Sequence, residues 1–421
     1  MRILMATDAF PPVCGGSGWS TYELARGLRE RGHDVTVVQV TAGKPTGADR
    51  VYDGFRVHVI HQTAPPLPFV RNYFKNERLW HRAAPTLRAM AACTRADVIH
   101  AQHVLTAPAA IRASEGAGLP VVCTVRDYWP LCYWGTLIDD PTSSVLCPQC
   151  SPGRMTRCVR PRAGVAWPLA LPFIPYMRRN LARKQLALVN ASAIVAVSST
   201  IARDLRQRGT GLEAARIEII PNPVDVAGLR RAAQAAAPPL EGPYAVFVGK
   251  LEQNKGVDVL LPAVERAGLA WPLVVVGDGA RRAALEAAAR RTNRDVRFTG
   301  WLERPSVIAW LAHAALLVYP SGGPESLSRV LLEAAAIGVP IAAMNTGGTG
   351  DILRHEVTGL LSVTPAELGD HVARLIADRA LADALARRGR EHVAAHFDTS
   401  IVVGRFEALY HDVAARGASR A

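Results

Sequence analysis

The sequence predicts an α/β protein made of two doubly wound parallel sheets, each covered by helices. The chain has 421 residues, of which 49% are apolar and 20% charged, so it can build sizeable cores and is not a disordered or fibrous chain. Short β-rich runs alternate with amphipathic helical runs in both halves, as parallel strands with helical crossovers require. The alternation pauses near residues 215–240, in a Pro-containing stretch, and then restarts. We therefore predict two domains, at 1–215 and 216–398.

The first domain opens with a βαβ unit. RILMAT reads as a strand, FPPVCGGSG as a glycine-rich loop, STYELARGLRERG as a helix and HDVTVVQV as a second strand. DVIHA, PVVCTV and SAIVAVS follow as further strands. Residues 130–160 interrupt this pattern as an irregular insertion that carries cysteines.

The second domain repeats the alternation. YAVFVG, PLVVVGDG, VRFTG, ALLVYPS and PIAAM read as strands, and the helices include residues 257–266 and the run ESLSRVLLEAAAIG. Residues 399–421 form a last amphipathic helix, which we expect to pack back toward the first domain. Two such domains facing each other leave a cleft at the carboxyl ends of their strands, where open α/β sheets bind ligands.

The basic excess lies in the first half of the chain. The net charge is +13, and residues 1–190 hold 23 Lys and Arg against 12 Asp and Glu. Such a field attracts nucleic acid, an anionic membrane or a phosphorylated substrate, and its sign does not choose among them. We see neither an apolar run of the ~20 residues that a membrane span needs nor a signal-peptide core, and so expect a cytoplasmic protein.

Glycines and lysines that follow strands are candidates for holding a phosphate. Gly15 and Gly16 lie between a strand and a helix, where backbone N–H groups can meet an anion; a flexible turn is the alternative. Lys250 and Lys255 in VGKLEQNKG directly follow an apolar strand and suit a diphosphate, although solvated loop lysines have the same appearance.

Two glutamates give the strongest clue. Glu333 is the only charged residue between Val330 and Gly350, in a helix that should be buried, so its carboxylate needs a polar partner. Glu325 comes eight positions earlier, after the strand ALLVYPS and before the helix, so both carboxylates can border one site. Internal pairing of Glu333 is the structural alternative.

In this context the chain resembles the retaining nucleotide-sugar glycosyltransferases of family 4, which have the two-domain GT-B fold. The resemblance covers nearly the whole chain and rests on GGSGWSTYELARGLRERGHDVTVV, DVIHAQH, VGKLEQNKG, VVVGDG, FTGWL, YPSGGPESLSRVLLEAAAIG and VTGLL, in the family's order. It implies transfer of a sugar from a nucleoside diphosphate to a glycan, a lipid-linked or another hydroxyl acceptor. No cofactor is expected to be needed for catalysis.

The resemblance also assigns roles to residues. Glu325 would meet hydroxyls of the donor sugar, Glu333 the ribose, and both lysines the diphosphate, where they stabilise charge on the leaving group. The expected donor-binding residues are Gly15, Gly16, Lys250, Lys255, Gly277, Glu325, Ser326, Leu327, Ser328 and Glu333, and the expected catalytic residues are Lys250, Lys255, His103 and Glu325.

The chain departs from the family's pattern at three of these places. Gln102 stands where the second His of an H-x-H pattern is usual, which makes His103 a candidate substitute. Lys250 replaces a more common Arg, and Ser328 a common Gly.

The cysteines of the insertion suggest a second site. Cys132, Cys147, Cys150 and Cys158 include one C-x2-C pair, and four thiolates can close a tetrahedral zinc site. TVRDYWPLC resembles a cysteine-bearing subgroup of the family, with Arg126 where His is more usual. Structural zinc is one interpretation, and reduced packed cysteines or a labile disulfide are the others.

Two apolar and cationic segments of the first domain suggest contact with an anionic membrane surface. These segments are PLPFVRNYFK near residue 70 and WPLALPFIPYMRR near residue 170. Ordinary segments that cover a core are the alternative; membrane contact would place the protein at the inner face of the membrane.

Other functions fit the sequence less well. Another GT-B enzyme, such as a sugar-nucleotide epimerase or a phosphorylase, is the first alternative. A basic, zinc-containing nucleic-acid-binding protein is the second. No recognition-helix or RNP pattern is present, and so no nucleic-acid partner is expected.

Overall fold

The computed structural model describes residues 1–42, 49–67, 70–140, 146–148 and 150–418. The chain forms two compact units. Unit 1 comprises Met1–Asp140, Cys147–Pro223 and Thr399–Ala421, and unit 2 is built on Val224–Asp398. Each unit contains one twisted sheet with its own buried apolar core.

The sheet of unit 1 has eight strands in the order β3-β4-β2-β1-β5-β6-β7-β8. All neighbours are parallel except β3 and β4, which form an antiparallel pair. The strands are β1 (Arg2–Thr7), β2 (Asp34–Ala42), β3 (Arg50–Tyr52), β4 (Phe55–Gln62), β5 (Val98–Ala101), β6 (Val121–Val125), β7 (Ala193–Ala196) and β8 (Ile217–Ile219).

The early helices pack in unit 1. They are α1 (Gly16–Glu30), α2 (Val70–Tyr73), α3 (Leu79–Cys93), α4 (Ala107–Ser114), α5 (Pro152–Ala163), α6 (Trp167–Ala170), α7 (Ile174–Val189) and α8 (Ser199–Arg208), with a π-helical turn at Phe74–Arg78 and 3-10 turns at Gly164–Ala166 and Leu171–Phe173.

The sheet of unit 2 has six parallel strands in the order β11-β10-β9-β12-β13-β14. The strands are β9 (Ala245–Val248), β10 (Leu273–Val276), β11 (Val296–Gly300), β12 (Leu316–Tyr319), β13 (Ile341–Met344) and β14 (Leu360–Ser362). The strand order reverses direction between β9 and β12. At such a position doubly wound sheets open a crevice at their carboxyl edge.

The later helices cover this second sheet, except for the last one. They are α9 (Val226–Ala235), α10 (Val257–Arg266), α11 (Arg282–Ala289), α12 (Arg304–Ala312), α13 (Arg329–Ile337), α14 (Thr349–Ile352), α15 (Pro365–Ala377), α16 (Arg379–Phe397) and α17 (Thr399–Ala418), with a 3-10 turn at Gln253–Lys255.

Helix α17 returns to unit 1 and completes its core. Val402, Val403, Phe406 and Tyr410 are at most 1% exposed and join the cluster that contains Leu24 of α1. Gly27 of α1 makes this packing close, because a Cβ there would lie 2.6 Å from the Val403 side chain. The C-terminal segment is therefore part of the first Rossmann-like unit.

The predicted fold class, two Rossmann-like parallel sheets and a final helix, is confirmed. Glu325 was predicted to lie after a strand and before a helix, and it does, because β12 ends at Tyr319 and α13 begins at Arg329. The Ser328 side chain accepts a hydrogen bond from the N–H of Leu331 and caps the helix there. Among the described residues, no helix combines the length and apolar character needed to cross a membrane.

Candidate functional site

Most of the predicted donor-binding residues lie at the carboxyl edge of the unit 2 sheet. Lys250 follows β9, Lys255 ends the 3-10 turn in the same loop, Gly277 follows β10 and Glu325 lies in the loop after β12. Because these strands are neighbours in a parallel sheet, their loops meet at one edge.

Glycines bring these loops into backbone contact. Gly256 has φ +68°, and a Cβ there would lie 1.8 Å from the carbonyl oxygen of Pro320. At Gly277, with φ +138°, a Cβ would lie 1.9 Å from the carbonyl oxygen of Gly249. Only glycine fits such positions, which explains why VVVGDG and QNKG carry glycine there.

Lys255 and Glu325 form a partly buried ion pair across two of these loops. The Lys255 Nζ donates to Glu325 Oε1 at 2.5 Å, and the Ser321 hydroxyl donates to the same oxygen at 2.6 Å. Burial raises the pKa of Glu325, but the Lys255 ammonium and the hydrogen bonds outweigh that effect and leave the pKa below its usual value. Glu325 is therefore an ionised acceptor at neutral pH.

The residues that follow Glu325 are loop residues. Leu327 and Ser328 are buried and Ser326 is half-buried. The Glu325 carbonyl accepts a hydrogen bond from the N–H of Gly348 at 2.7 Å, which ties this loop to the loop after β13. In contrast, Lys250 is exposed at the end of β9.

Glu333 has the polar partners that its burial demands. Its side chain is 8% exposed, and Oε1 accepts a hydrogen bond from Arg329 Nε at 2.9 Å, one turn earlier in α13. Arg304 at the start of α12 brings Nη2 to 3.1 Å from the same oxygen. The structure thus gives Glu333 an internal ion pair through Oε1.

The glycine loop of unit 1 opens helix α1. Gly15 is the N-cap residue and Gly16 the first helical residue, so N–H groups at this end point out of the helix. A Cβ at Gly15 would meet nothing within 4 Å, and this position has open space beside its backbone. At Gly18, by contrast, a Cβ would lie 2.6 Å from Cys14.

The two histidines of DVIHAQH lie in different environments. His100 is fully buried in β5, with Nδ1 2.6 Å from the Tyr410 hydroxyl and Nε2 2.7 Å from the Thr124 hydroxyl. Burial holds the pKa of His100 well below its usual range. His100 is therefore a neutral core residue, and Gln102 packs against it, with Nε2 2.7 Å from His100 Nδ1.

His103 lies just beyond β5, between two carboxylates. Its Nε2 is 2.6 Å from Asp127 Oδ2, and its Nδ1 is 3.9 Å from Asp8 Oδ2. Burial lowers the pKa of His103, but the two carboxylates outweigh it and raise the pKa to about 9.

A backbone contact of His103 disfavours a proton on Nδ1, which the ring must carry in addition to the proton on Nε2 to be an imidazolium. The N–H of Leu105 points at Nδ1 from 3.2 Å and favours an unprotonated Nδ1. We assign the imidazolium, because two carboxylates close to a buried ring outweigh one long contact to a neutral N–H. In either state Nε2 donates to Asp127.

The four cysteines of the predicted zinc site line one cavity of about 220 Å³ in unit 1. Cys132, Cys147 and Cys158 are buried and Cys150 is half-buried. Burial raises the pKa of Cys150 to about 11 and that of Cys158 to about 12. As placed, no three His, Cys, Asp or Glu side chains among the described residues stand in an arrangement that could hold a metal.

Sequence reasoning missed several residues of these sites. The residues that were not singled out are Ser321, Arg304, Asp8 and Asp127. Each of the two aspartates lies one or two residues after the end of a strand. That placement at strand ends was the available signal. The contacts from Arg304 to Glu333 and from Asp8 to His103 join residues distant in sequence, which no local pattern indicates.

Comparisons with known proteins bear on both units. Residues 14–227 match the family described as "Glycosyltransferase Family 4", and residues 242–378 match "Glycosyl transferases group 1". The chain is similar to a glycogen synthase of Mycobacterium tuberculosis, with 29% identity over 97% of this chain and 94% of that protein. It is also similar to a GDP-mannose-dependent alpha-mannosyltransferase of that organism, with 28% identity over 92% and 91%.

A solved structure shows the same fold. Sucrose-phosphate synthase from Thermosynechococcus elongatus aligns with a TM-score of 0.72 and 20% identity, covering 99% of this chain and 100% of that one.

Proposed function

The chain belongs to glycosyltransferase family 4 and is a retaining nucleotide-sugar glycosyltransferase of the GT-B fold; from this premise we propose which residues perform the transfer and what they act on. The proposed acceptor is a hydroxyl group of a glycan or of a lipid-linked molecule. The observation that carries the assignment of the donor site is the Lys255–Glu325–Ser321 cluster at the carboxyl edge of the unit 2 sheet.

Lys250 and Lys255 are proposed to face the diphosphate of the donor. Negative charge grows on this group as the sugar departs, so fixed ammonium groups stabilise the transition state more than the bound donor. Lys255 is held by Glu325 before any ligand arrives, which places its charge without a large loss of side-chain entropy on binding. Gly15 and Gly16 are proposed to offer N–H groups to a phosphate of the donor.

Glu325 and Glu333 are proposed to bind hydroxyl groups of the donor, Glu325 those of the sugar and Glu333 those of the ribose. Glu325 is ionised and buried, so its carboxylate can accept hydrogen bonds from hydroxyls of the sugar. For Glu333 the ribose contact falls to Oε2, because Arg329 and Arg304 both lie on Oε1. Gly277, Ser326, Leu327 and Ser328 are proposed to complete the wall of this site. His103 is proposed to act at the reacting end of the sugar through Asp127, whose carboxylate it orients.

A screen of donors tests this proposal. UDP-, GDP- and ADP-sugars are compared by thermal shift, since a ligand at 100 times its Kd stabilises the fold by about 2.7 kcal/mol. The donor found in this way is then used to follow release of nucleoside diphosphate, and NMR of the product reports the anomeric configuration. Inversion of configuration, or a protein that no sugar nucleotide stabilises, would contradict the proposal.

A structural zinc ion at Cys132, Cys147, Cys150 and Cys158 is a second proposal. Four soft thiol donors around one cavity suit zinc in their chemistry, although the thiols must close further around the metal than they do here. One buried and one half-buried cation support thiolates at this place. Lys184 is 0% exposed, its Nζ has no hydrogen-bond partner among the described residues, and it interacts electrostatically with Cys132. The Arg162 guanidinium interacts in the same way with Cys158 and Cys132.

Metal analysis decides the zinc proposal. Protein purified without chelator should hold about one zinc per chain, and Cys147→Ser should lose it. Cys93→Ser is the control, because Cys93 is an exposed cysteine outside this cavity. A wild-type protein that carries no zinc, or a Cys147→Ser variant that keeps it, would end this proposal.

Contact of unit 1 with an anionic membrane surface is the third proposal. Residues 141–203 contain no Asp or Glu but nine Lys and Arg. Val165 and Leu169 are 102% and 78% exposed within this segment, whereas Phe173 and Ile174 pack inward against a core cluster. Exposed apolar side chains among cations are the composition of an interfacial patch. In the other predicted segment, Pro68 and Phe69 lie outside the described residues.

Flotation with vesicles tests the membrane proposal. The protein should float with phosphatidylglycerol vesicles at low salt and stay behind with phosphatidylcholine vesicles. Val165→Ser combined with Leu169→Ser should weaken flotation, while Val363→Ser, at a 77% exposed valine of unit 2, should not. Equal flotation of all variants would contradict it.

A further inference from the structure

Three neighbouring strands of unit 1 end in a cluster of two aspartates and a histidine. Asp8 follows β1, His103 lies two residues after β5 and Asp127 lies two residues after β6. Because β1, β5 and β6 are adjacent in the sheet, their carboxyl ends bring these residues together. The cluster thus lies at the edge where an open α/β sheet takes its ligands.

The loops that carry this cluster are fixed by backbone and side-chain bonds. The N–H of Gln102 and the Thr106 hydroxyl both donate to the Ala6 carbonyl, which ties the β5 loop to β1. Arg126 donates to the carbonyl of Gln102 at 2.5 Å and to its side-chain oxygen at 2.6 Å, which ties the β6 loop to the β5 loop. The arrangement is therefore rigid before a ligand binds.

The histidine of this cluster is buried, whereas its two carboxylates are partly exposed. The His103 side chain is 7% exposed, whereas those of Asp8 and Asp127 are 32% and 30% exposed. Asp127 is oriented at both oxygens, since Oδ2 meets His103 Nε2 and Oδ1 accepts a hydrogen bond from the N–H of Trp129 at 2.9 Å. Each oxygen keeps a further lone pair for a ligand.

Carboxylates select for a particular ligand chemistry. An ionised carboxylate only accepts hydrogen bonds, so it pairs with hydroxyl groups and repels phosphates and other anions. The guanidinium of Arg126, which acts electrostatically on His103, donates hydrogen bonds to Gln102 and to Asn222. Within the cluster, the two carboxylates are thus more exposed than His103, although the unit as a whole is basic.

We infer that Asp127, positioned by His103 and flanked by Asp8, binds hydroxyl groups of the sugar acceptor, and that the reacting end of this acceptor is a neutral polyol rather than a phosphate. This inference rests on the proposed function, because it assigns the second substrate of the same reaction. The basic surface elsewhere in unit 1 then serves another part of the molecule or a membrane.

The test uses the full-length protein with the donor found by the screen. Methyl α-glycosides of glucose, mannose and galactose are the neutral acceptor probes, and the 6-phosphates of the same sugars are the anionic probes. Release of nucleoside diphosphate above the rate of donor hydrolysis reports transfer, and calorimetry reports the donor Kd. A wild-type protein that binds no donor would instead mean that the proposed function has failed.

At least one neutral glycoside should be glycosylated. Asp127→Asn should raise its KM about 10- to 100-fold, the usual loss for a hydrogen bond to a charged group, and leave the donor Kd unchanged. Asp97→Asn is the matched control, because Asp97 is 29% exposed and lies at the opposite end of β5. Transfer to the phosphates alone, no transfer to any neutral glycoside, or an unchanged KM in Asp127→Asn would overturn the inference.

Substitution of His103 separates positioning from a purely structural role. The side-chain N–H of Gln can replace Nε2–H toward Asp127, whereas Ala leaves the carboxylate unsupported. His103→Gln should therefore keep the KM of the neutral probe near the wild-type value, and His103→Ala should raise it as Asp127→Asn does. Equal KM values for the two variants would contradict the positioning role. Asp8→Asn provides a second reading of the acceptor KM should Asp127→Asn not fold.

Discussion

At the scale of single residues, Lys255 and Glu325 differ in the exposed fraction of their side chains. The Lys255 side chain is 28% exposed and that of Glu325 is 9% exposed, so the ammonium is the more accessible partner for an incoming diphosphate. In the proposed donor site, the diphosphate meets the Lys255 ammonium while Glu325 holds this ammonium in place.

The first prediction concerns Lys255. Lys255→Ala should lower turnover about 10²- to 10³-fold, as seen when one preorganised transition-state donor is removed, and should weaken donor binding much less. Arg290→Ala is the control, because Arg290 is an exposed cation in the same unit. Initial rates measure the change in turnover, and calorimetry with the donor measures the change in binding. If the variant kept wild-type turnover, or lost only donor affinity, Lys255 would not stabilise the leaving group.

The second prediction concerns the charge of His103. A pKa near 9, above the ~6.5 of an unfolded chain, means that the imidazolium contributes stability at pH 6.5 and below, and that this contribution is lost as pH rises through 9. The wild type should lose about 1–3 kcal/mol of unfolding free energy relative to His103→Gln over this window.

Urea unfolding at several pH values measures this difference. Because the Gln variant does not titrate, it removes the contribution of all other groups that titrate equally in both proteins. A difference that stays constant with pH would favour the neutral ring, with the N–H of Leu105 donating to Nδ1.

At the scale of elements, the carboxyl edge of the unit 2 sheet depends on glycines at which loops touch. Gly347 has φ +55°, and a Cβ there would lie 1.9 Å from the carbonyl oxygen of Glu325. The loop that carries Glu325 therefore has no room to accommodate a side chain at this point.

The third prediction follows from this contact. Gly347→Ala should weaken donor binding, because the Glu325 loop has to move, and should also lower stability. Gly268→Ala is the control: its φ of +64° imposes a similar backbone strain of about 1–2 kcal/mol, but a Cβ there meets nothing within 4 Å. Calorimetry with the donor compares the donor Kd of the two variants. Equal losses of donor affinity in both variants would show that strain alone is responsible.

Elements of regular pattern were predictable from the sequence, and long-range contacts were not. The helix predicted at residues 257–266 is α10, because apolar spacing and flanking glycine set its limits. Glu325 was predicted to precede the next helix, and α13 does begin after it, where the Ser328 side chain caps the helix. Arg329, as a partner of Glu333, lies one turn away and was within reach of pattern reasoning.

At the scale of the whole molecule, the chain assigns different tasks to its two units. Unit 1 carries the basic segment, the cysteine cavity and the Asp8–His103–Asp127 cluster, whereas unit 2 carries the lysines and glutamates proposed to hold the donor. The connection is not simply sequential, because α17 follows unit 2 in the chain but supplies part of the core of unit 1. A substitution near the C-terminus should therefore act on the N-terminal sheet.

The last prediction tests this placement through Phe406. Its ring is 1% exposed and lies 5.3 Å from that of His100 in β5, so Phe406→Ala should cost about 3–5 kcal/mol through the cavity it leaves. Hydrogen exchange should rise in α1, β1 and β5, where the ring packs, while the donor Kd, which we propose is set by unit 2, stays near its wild-type value. Ile401→Ala, at a 46% exposed position of the same helix, is the control. If exchange rose instead in β9 and β12, α17 would stabilise the second sheet and not the first.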